Sequence, residues 1–126
     1  MMKSKLEKWL GYKFSSGCTT GEDYKKFQRA AKSELKKMAT ENGMTLHKFN
    51  PNHYEFSAVL KDTESDTFMY VSISDVRFFP DEWYREVLYR TMKHDHDWTG
   101  GHNNYCCWPE LGECTRRLMD RQRKAA

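Results

Sequence analysis

No stretch of this chain approaches the roughly 18 consecutive apolar residues that a membrane helix needs, and Met1-Met2-Lys3-Ser4-Lys5 leads into no apolar signal segment. Neither membrane spanning nor secretion is expected, and the chain reads as cytosolic. None of the four cysteines, Cys18, Cys106, Cys107 and Cys114, belongs to a Cys-x-x-Cys pair, which argues against a zinc ribbon and a thioredoxin-like motif. Without a signal segment they are expected as reduced thiols rather than a disulfide framework. There is no internal repeat, no low-complexity linker, no nucleophile elbow and no Gly-rich turn opening a helix. What is present fits a folded domain. At 126 residues the chain suits a single domain, residues 1–126, around one core. Its 31% charged residues make it polar, but 14% aromatics is too rich for disorder.

Charge is unevenly distributed. Residues 1–43 hold 10 Lys/Arg against 5 Asp/Glu, residues 44–107 hold 6 against 10, and residues 108–126 hold 5 against 3. Basic ends and an acidic middle predict a bipolar surface if the termini are helical.

Residues 1–18 mix an amphipathic turn (Leu6, Trp9, Leu10) with a polar stretch ending at Ser15-Ser16-Gly17-Cys18, and are expected to pack loosely. Thr19-Thr20-Gly21-Glu22-Asp23 then carries two overlapping capping boxes. Tyr24, Phe27, Ala31, Leu35 and Met38 recur at helical spacing and Asn42-Gly43 supplies a stop, which predicts a helix over residues 21–42. From Met44 the period is two. Strands are expected over residues 44–49, 53–61 and 67–75, separated by an Asn50-Pro51-Asn52 turn and the polar loop Asp62-Thr63-Glu64-Ser65-Asp66. In the second strand Tyr54, Phe56, Ala58 and Leu60 share a face. In the third, Met69, Val71 and Ile73 oppose Phe68 and Tyr70, so it should be central.

Pro80-Asp81-Glu82 resembles a helix start, whereas Val87 to Met92 is dense in β-formers; a short helix followed by a strand satisfies both. Residues 93–108 read as a long loop, and Pro109-Glu110 opens a final basic helix through about Lys124 with Leu111, Cys114, Leu118 and Met119 as the inward candidates. The expected fold is α+β: an N-terminal helix, an antiparallel sheet of three to four strands, a short helix between strands and a C-terminal basic helix.

Several groups of residues bear on chemistry. His94, His96, His102 and Cys106 stand in a loop with Asp95 and Asp97 and are the candidate ligands of a metal site, though their spacing matches no zinc motif. Cys106 or Cys107 beside these histidines is the corresponding candidate for a thiol enzyme. Lys25, Arg29, Lys32 and Lys36 fall at i, i+4, i+7 and i+11, a continuous basic stripe suited to phosphates. Arg116, Arg117, Arg121, Arg123 and Lys124 form a second cluster that would join the stripe if both helices lay on one side of the sheet. The element order is shared with double-stranded-RNA-binding domains, but Pro109-Glu110-Leu111-Gly112 lacks their basic helix start. The strand aromatics Tyr54, Phe56, Phe68 and Tyr70 read chiefly as core rather than as a base-stacking platform.

Taken together, Gly17 to Tyr24, His53-Tyr54-Glu55-Phe56-Ser57, Ser72-Ile73-Ser74-Asp75-Val76-Arg77-Phe78-Phe79, Glu82-Trp83-Tyr84 and Trp98 to Tyr105 resemble a family of short proteins encoded on phages, plasmids and conjugative elements of gut Firmicutes. The likeness spans roughly residues 15–108. It implies a genetic setting and carries over no catalytic residue. Members have Asp-Tyr-Thr-Gly-Gly in the loop and lack the extra His and Cys of this chain, which weighs against the metal and thiol readings. Small accessory proteins in that setting are often stoichiometric inhibitors of host defence, of anti-CRISPR or anti-restriction type. The resemblance thus implies a non-enzymatic protein of the bacterial cytosol, without cofactor, binding a host defence nuclease or its guide-RNA complex. Arg77, Trp83, Trp98, Asn103, Asn104 and Tyr105 are the expected contacts, since aromatic and Arg anchors carry most interface energy. The alternatives are a nucleic-acid-binding module using the two basic helices, and a metal- or thiol-dependent enzyme on the 94–107 loop.

Overall fold

The computed structural model describes residues 5–10, 12, 22–52, 55–74, 76, 82–92, 94 and 102–125. Helix α1 (Glu22–Glu41) is followed by strands β1 (Met44–Asn52), β2 (Glu55–Asp62) and β3 (Phe68–Ser72). Then come the single turn α2 (Glu82–Arg85), strands β4 (Val87–Met92) and β5 (Asn104–Cys106), and helix α3 (Leu111–Ala125). Short 3-10 turns at Lys5–Trp9 and Trp108–Glu110 precede α1 and α3. The class is α+β, as the alternation of periods predicts, and the sheet is an antiparallel meander of five strands in the order β1-β2-β3-β4-β5.

That is one strand more than the three to four expected. The extra one is β5, three residues inside the segment read as loop, paired to β4 through Val87 with Cys106, Leu88 with Tyr105 and Tyr89 with Asn104. A segment this short has no alternation of its own to read; its hydrogen bonds come from the neighbouring strand. β1 also runs further than expected. Asn50-Pro51-Asn52 is not a turn, because Pro51 stands opposite Phe56 and Asn52 opposite Glu55. Proline is tolerated there since β1 is an edge strand.

α1 stops where its sequence says it should. Gly43 has φ +69°, the left-handed region open to glycine, and the Asn42 side-chain amide donates to the Met38 carbonyl at 2.8 Å. One face of the helix supplies Tyr24, Phe27, Ala31, Leu35 and Ala39 to the core. These pack on the side of the sheet bearing Phe56, Ala58, Leu60, Met69 and Val71. β3 is central and Phe68 and Tyr70 point to its other side, as the sequence pattern requires.

Leu6 is fully buried and Trp9 lies edge-on to Phe27 at 6.0 Å, so the first 3-10 turn is anchored to the core where looser packing was expected. α2 turns Trp83 inward against Phe27, with ring centroids 4.7 Å apart. Its neighbour Tyr84 donates a hydrogen bond to the Glu7 carboxylate at 3.0 Å, clipping the N-terminal turn to α2.

α3 closes the same side of the sheet. Leu111, Thr115 and Met119, four residues apart, form its buried stripe. The Thr115 hydroxyl is satisfied by donating to the Leu111 carbonyl at 2.7 Å. Trp108, just before the helix, is buried edge-on to Phe56 and donates its indole N–H to Glu34 of α1 at 3.0 Å.

Candidate functional site

The two basic helices meet different fates. On α1 every exposed residue from Lys25 to Thr40 is a cation or a hydroxyl: Lys25, Lys26, Arg29, Lys32, Ser33, Lys36, Lys37 and Thr40. The expected stripe of Lys25, Arg29, Lys32 and Lys36 is thus wholly at the surface, and Lys26 and Lys37, absent from that stripe, extend it round the helix. The remaining carboxylate of this stretch, Glu34, is half-buried on the Trp108 indole. Lys32 places its ammonium 5.6 Å from the Phe49 ring of β1, so this flank of the helix overlooks the β1 edge.

On α3, Arg116 and Arg117 are paired with carboxylates, Arg116 against the core and Arg117 at the surface. Arg116 is paired with the fully buried Asp62 at 3.4 Å and with Asp120 at 3.0 Å, and Arg117 with Glu113 at 2.9 Å. Arg116 also donates to the carbonyls of Asn42 at 3.0 Å and Gly43 at 3.4 Å, where a cation is favoured by the orphan carbonyls of α1. Asp62 in turn accepts from the Ser65 hydroxyl at 2.9 Å and the Glu64 amide at 3.3 Å, which sets the β2–β3 hairpin loop. Arg116 is therefore a structural tie between α1, α3 and the hairpin. Arg121 is exposed, and the side chain of Arg123 lies outside the described residues.

Both helices cover one side of the sheet. Glu34 and Met38, which meet Trp108 and Gly112 next to and on α3, lie about 150–170° round α1 from the centre of the Lys25-Arg29-Lys32-Lys36 stripe, at about 100° per residue. The Lys25-Arg29-Lys32-Lys36 stripe thus faces away from α3.

Of the expected partner contacts, Trp83 is corrected outright: it has no exposed surface and belongs to the core. A bulky aromatic on a one-turn helix before a buried strand is drawn inward by the apolar area it removes from water. Asn103 is exposed, Asn104 is half-buried and donates to the His102 carbonyl at 2.9 Å, and Tyr105 is 59% exposed. These three sit at the β5 edge. Arg77 and Trp98 lie outside the described residues, as does His96.

Among the described residues no group of three or more His, Cys, Asp or Glu side chains is arranged to hold a metal ion. His94 and His102 are both exposed. Cys106 instead lies near Cys114 of α3, which is also near Tyr89, all three packed at the core. Burial first, and Cys114 second, push the Cys106 thiol well above the usual thiol range. Burial likewise raises the Tyr89 phenol. A thiol held protonated is a poor nucleophile and a poor metal ligand at neutral pH. Sequence neighbours of Cys106 could not disclose this contact, since Cys114 is brought to it by the packing of α3.

The Phe56 and Tyr54 alternation does not build a stacking platform. Phe56 is core and Tyr54 lies outside the described residues, while Phe68 and Tyr70 occupy the other side of the sheet, Phe68 edge-on to His47 at 5.2 Å and Tyr70 under Arg90 at 4.8 Å. A shallow polar depression lined by Asn42, Gly43, Thr63, Arg116 and Asp120 surrounds the Arg116 tie. The class the geometry defines is an α+β domain of two helices on one side of a five-stranded meander. Compared with protein families, curated proteins and solved structures, the chain matches none.

Proposed function

We propose that this chain is a non-enzymatic binding protein of a mobile genetic element, acting in the host bacterial cytosol as a stoichiometric inhibitor of a defence nuclease or its guide-RNA complex. The observation that carries the binding surface is Tyr105, 59% exposed on the edge strand β5 and flanked by exposed Asn103. Exposed tyrosines beside polar residues are the usual anchors of protein interfaces. The partner class rests on the resemblance of the chain to short mobile-element proteins.

The test is co-purification of the tagged chain from a lysate containing candidate defence complexes, followed by nuclease assays at increasing molar ratio. A nuclease-resistant complex and inhibition that saturates near one equivalent are expected. Tyr105→Ala with Asn103→Ala is expected to weaken binding at least about tenfold, since a hot-spot truncation costs about 2 kcal/mol. Undiminished inhibition by this well-folded double variant would place the interface elsewhere, and inhibition at catalytic ratios would remove the stoichiometric reading.

A further inference from the structure

The cationic face of α1 has an internal order that goes beyond the inhibitor reading and does not depend on it. Placed round the helix at about 100° per residue, Lys25, Lys32 and Lys36 form one flank and Lys26 and Lys37 the other, about 100° away. Arg29, Ser33 and Thr40 lie on the crest between them. All eight are exposed, and none of the six cations has an ion pair among the described residues. The chain as a whole is near charge parity, with 21 Lys/Arg against 18 Asp/Glu. The exposed residues from Lys25 to Thr40, none of them a carboxylate, therefore contrast with α3, whose surface alternates in sign.

We propose that α1 is a sequence-tolerant DNA-binding helix that enters the major groove of B-form duplex, its two lysine flanks meeting the two phosphate backbones and Arg29, Ser33 and Thr40 facing the groove floor. A helix about 10–12 Å across fits a major groove about 12 Å wide. The six cations, Lys25 to Lys37, cover about 18 Å of helix axis.

Other anionic partners fit less well. Single strands are held by stacking on aromatic side chains as well as by charge, and no exposed residue between Lys25 and Thr40 is aromatic. The A-form RNA duplex has a major groove too deep and narrow for a helix. An acidic strand adding to the adjacent β1 edge would meet a bulge between Leu46 and Lys48 and then Pro51, features that blunt an edge against pairing.

The experiment measures binding of the full chain to a 20-base-pair DNA duplex of arbitrary sequence, to its single strand and to the equivalent RNA duplex, between 50 and 200 mM salt. Five lysine–phosphate contacts predict an affinity for the DNA duplex that falls about five hundredfold across that range, with a log–log slope near −4.5. Weaker binding to the other two nucleic acids is also expected. Lys25→Gln with Lys32→Gln and Lys36→Gln, and separately Lys26→Gln with Lys37→Gln, are each expected to lower affinity at 50 mM salt at least about tenfold and to flatten the slope by about 2 to 3 units. Arg117→Gln with Arg121→Gln on α3 is expected to change affinity less than about threefold.

The substituted side chains are exposed, and an unchanged melting temperature verifies the fold. If either flank can be neutralised without loss, insertion between the two backbones is overturned. Equal or tighter binding to single strands or RNA overturns the choice of duplex DNA, and no salt-sensitive binding to any of the three leaves a protein as the partner of this face and overturns the proposal.

Discussion

α1 and α3 are both rich in Lys and Arg, but their cations are partnered differently. On α3, Arg116 is tied to the buried Asp62 and to Asp120, and Arg117 pairs with Glu113 one helical turn away at the surface, so each has a carboxylate partner. The cations of α1 from Lys25 to Lys37 face solvent with no exposed carboxylate among them. The difference shows that counting cations on a helix does not identify a binding face. What matters is whether acids reach them, either at i±4 on the same helix or across a tertiary contact. It also means that mutations in the two helices should separate into structural and functional effects.

The largest expected effect is at the α3 tie. Arg116→Ala removes the cation paired with the buried Asp62 and uncovers the C-terminal carbonyls of α1, at a cost of about 2–3 kcal/mol, less than a fully buried pair because Arg116 keeps 20% exposure. A drop of about 10 °C in the thermal midpoint is expected, and adding Asp62→Asn should recover part of it. No change in the midpoint would put Arg116 in the same class as the α1 lysines.

Next is Gly112, where α3 touches α1. A Cβ there would stand 2.5 Å from the Asn42 Nδ2 and 2.7 Å from the Met38 Cγ. Gly112→Ala is therefore expected to destabilise by about 1–2 kcal/mol although alanine is the better helix former. A more stable Gly112→Ala variant in chemical denaturation would show that this helix contact is loose.

Smaller again is the Tyr84 clip. Burial, then the Glu7 carboxylate that accepts its hydrogen bond, push the Tyr84 phenol up to about 12 from an ordinary value near 10. The folded state thus holds a proton that the unfolded chain releases first. The associated stability is complete below about pH 10 and is lost as pH rises toward 12. Tyr89 and Cys106, also raised, add to alkaline loss in the same direction. Tyr84→Phe is expected to cost about 1 kcal/mol at neutral pH and to make the decline above pH 10 shallower in a series of thermal melts.

The smallest effect on stability is expected where the effect on binding is largest. Neutralising the exposed α1 cations should shift stability by no more than about 0.5 kcal/mol, readable in urea unfolding. A large loss there would mean that these cations, like those of α3, hold the fold.

Much of the architecture was legible in the chain. Tyr24, Phe27, Ala31 and Leu35 recur at the helical period, and Asn42-Gly43 ends the helix within one residue of the expected place. Met69 and Val71 alternate with Phe68 and Tyr70 as a central strand demands. Local rules worked because these segments have one strong period and one clear boundary. They failed at Asn50-Pro51-Asn52, read as a turn from composition, because an edge strand leaves room for proline. They failed at Trp83 because exposure is settled by what packs nearby, here Phe27 of α1, on the far side of three strands in the chain.

The sequence by itself determined the α+β class, the long amphipathic α1, the central place of β3 and the cations of the α1 stripe, all of which follow from spacing along the chain. The tertiary structure alone decided that β5 completes the sheet, that Asp62 and Arg116 are partners, that Cys106 lies against Cys114, and that the α1 stripe faces away from α3. Each of these depends on which distant residue is brought within a few ångströms, and periodicity carries no information about that.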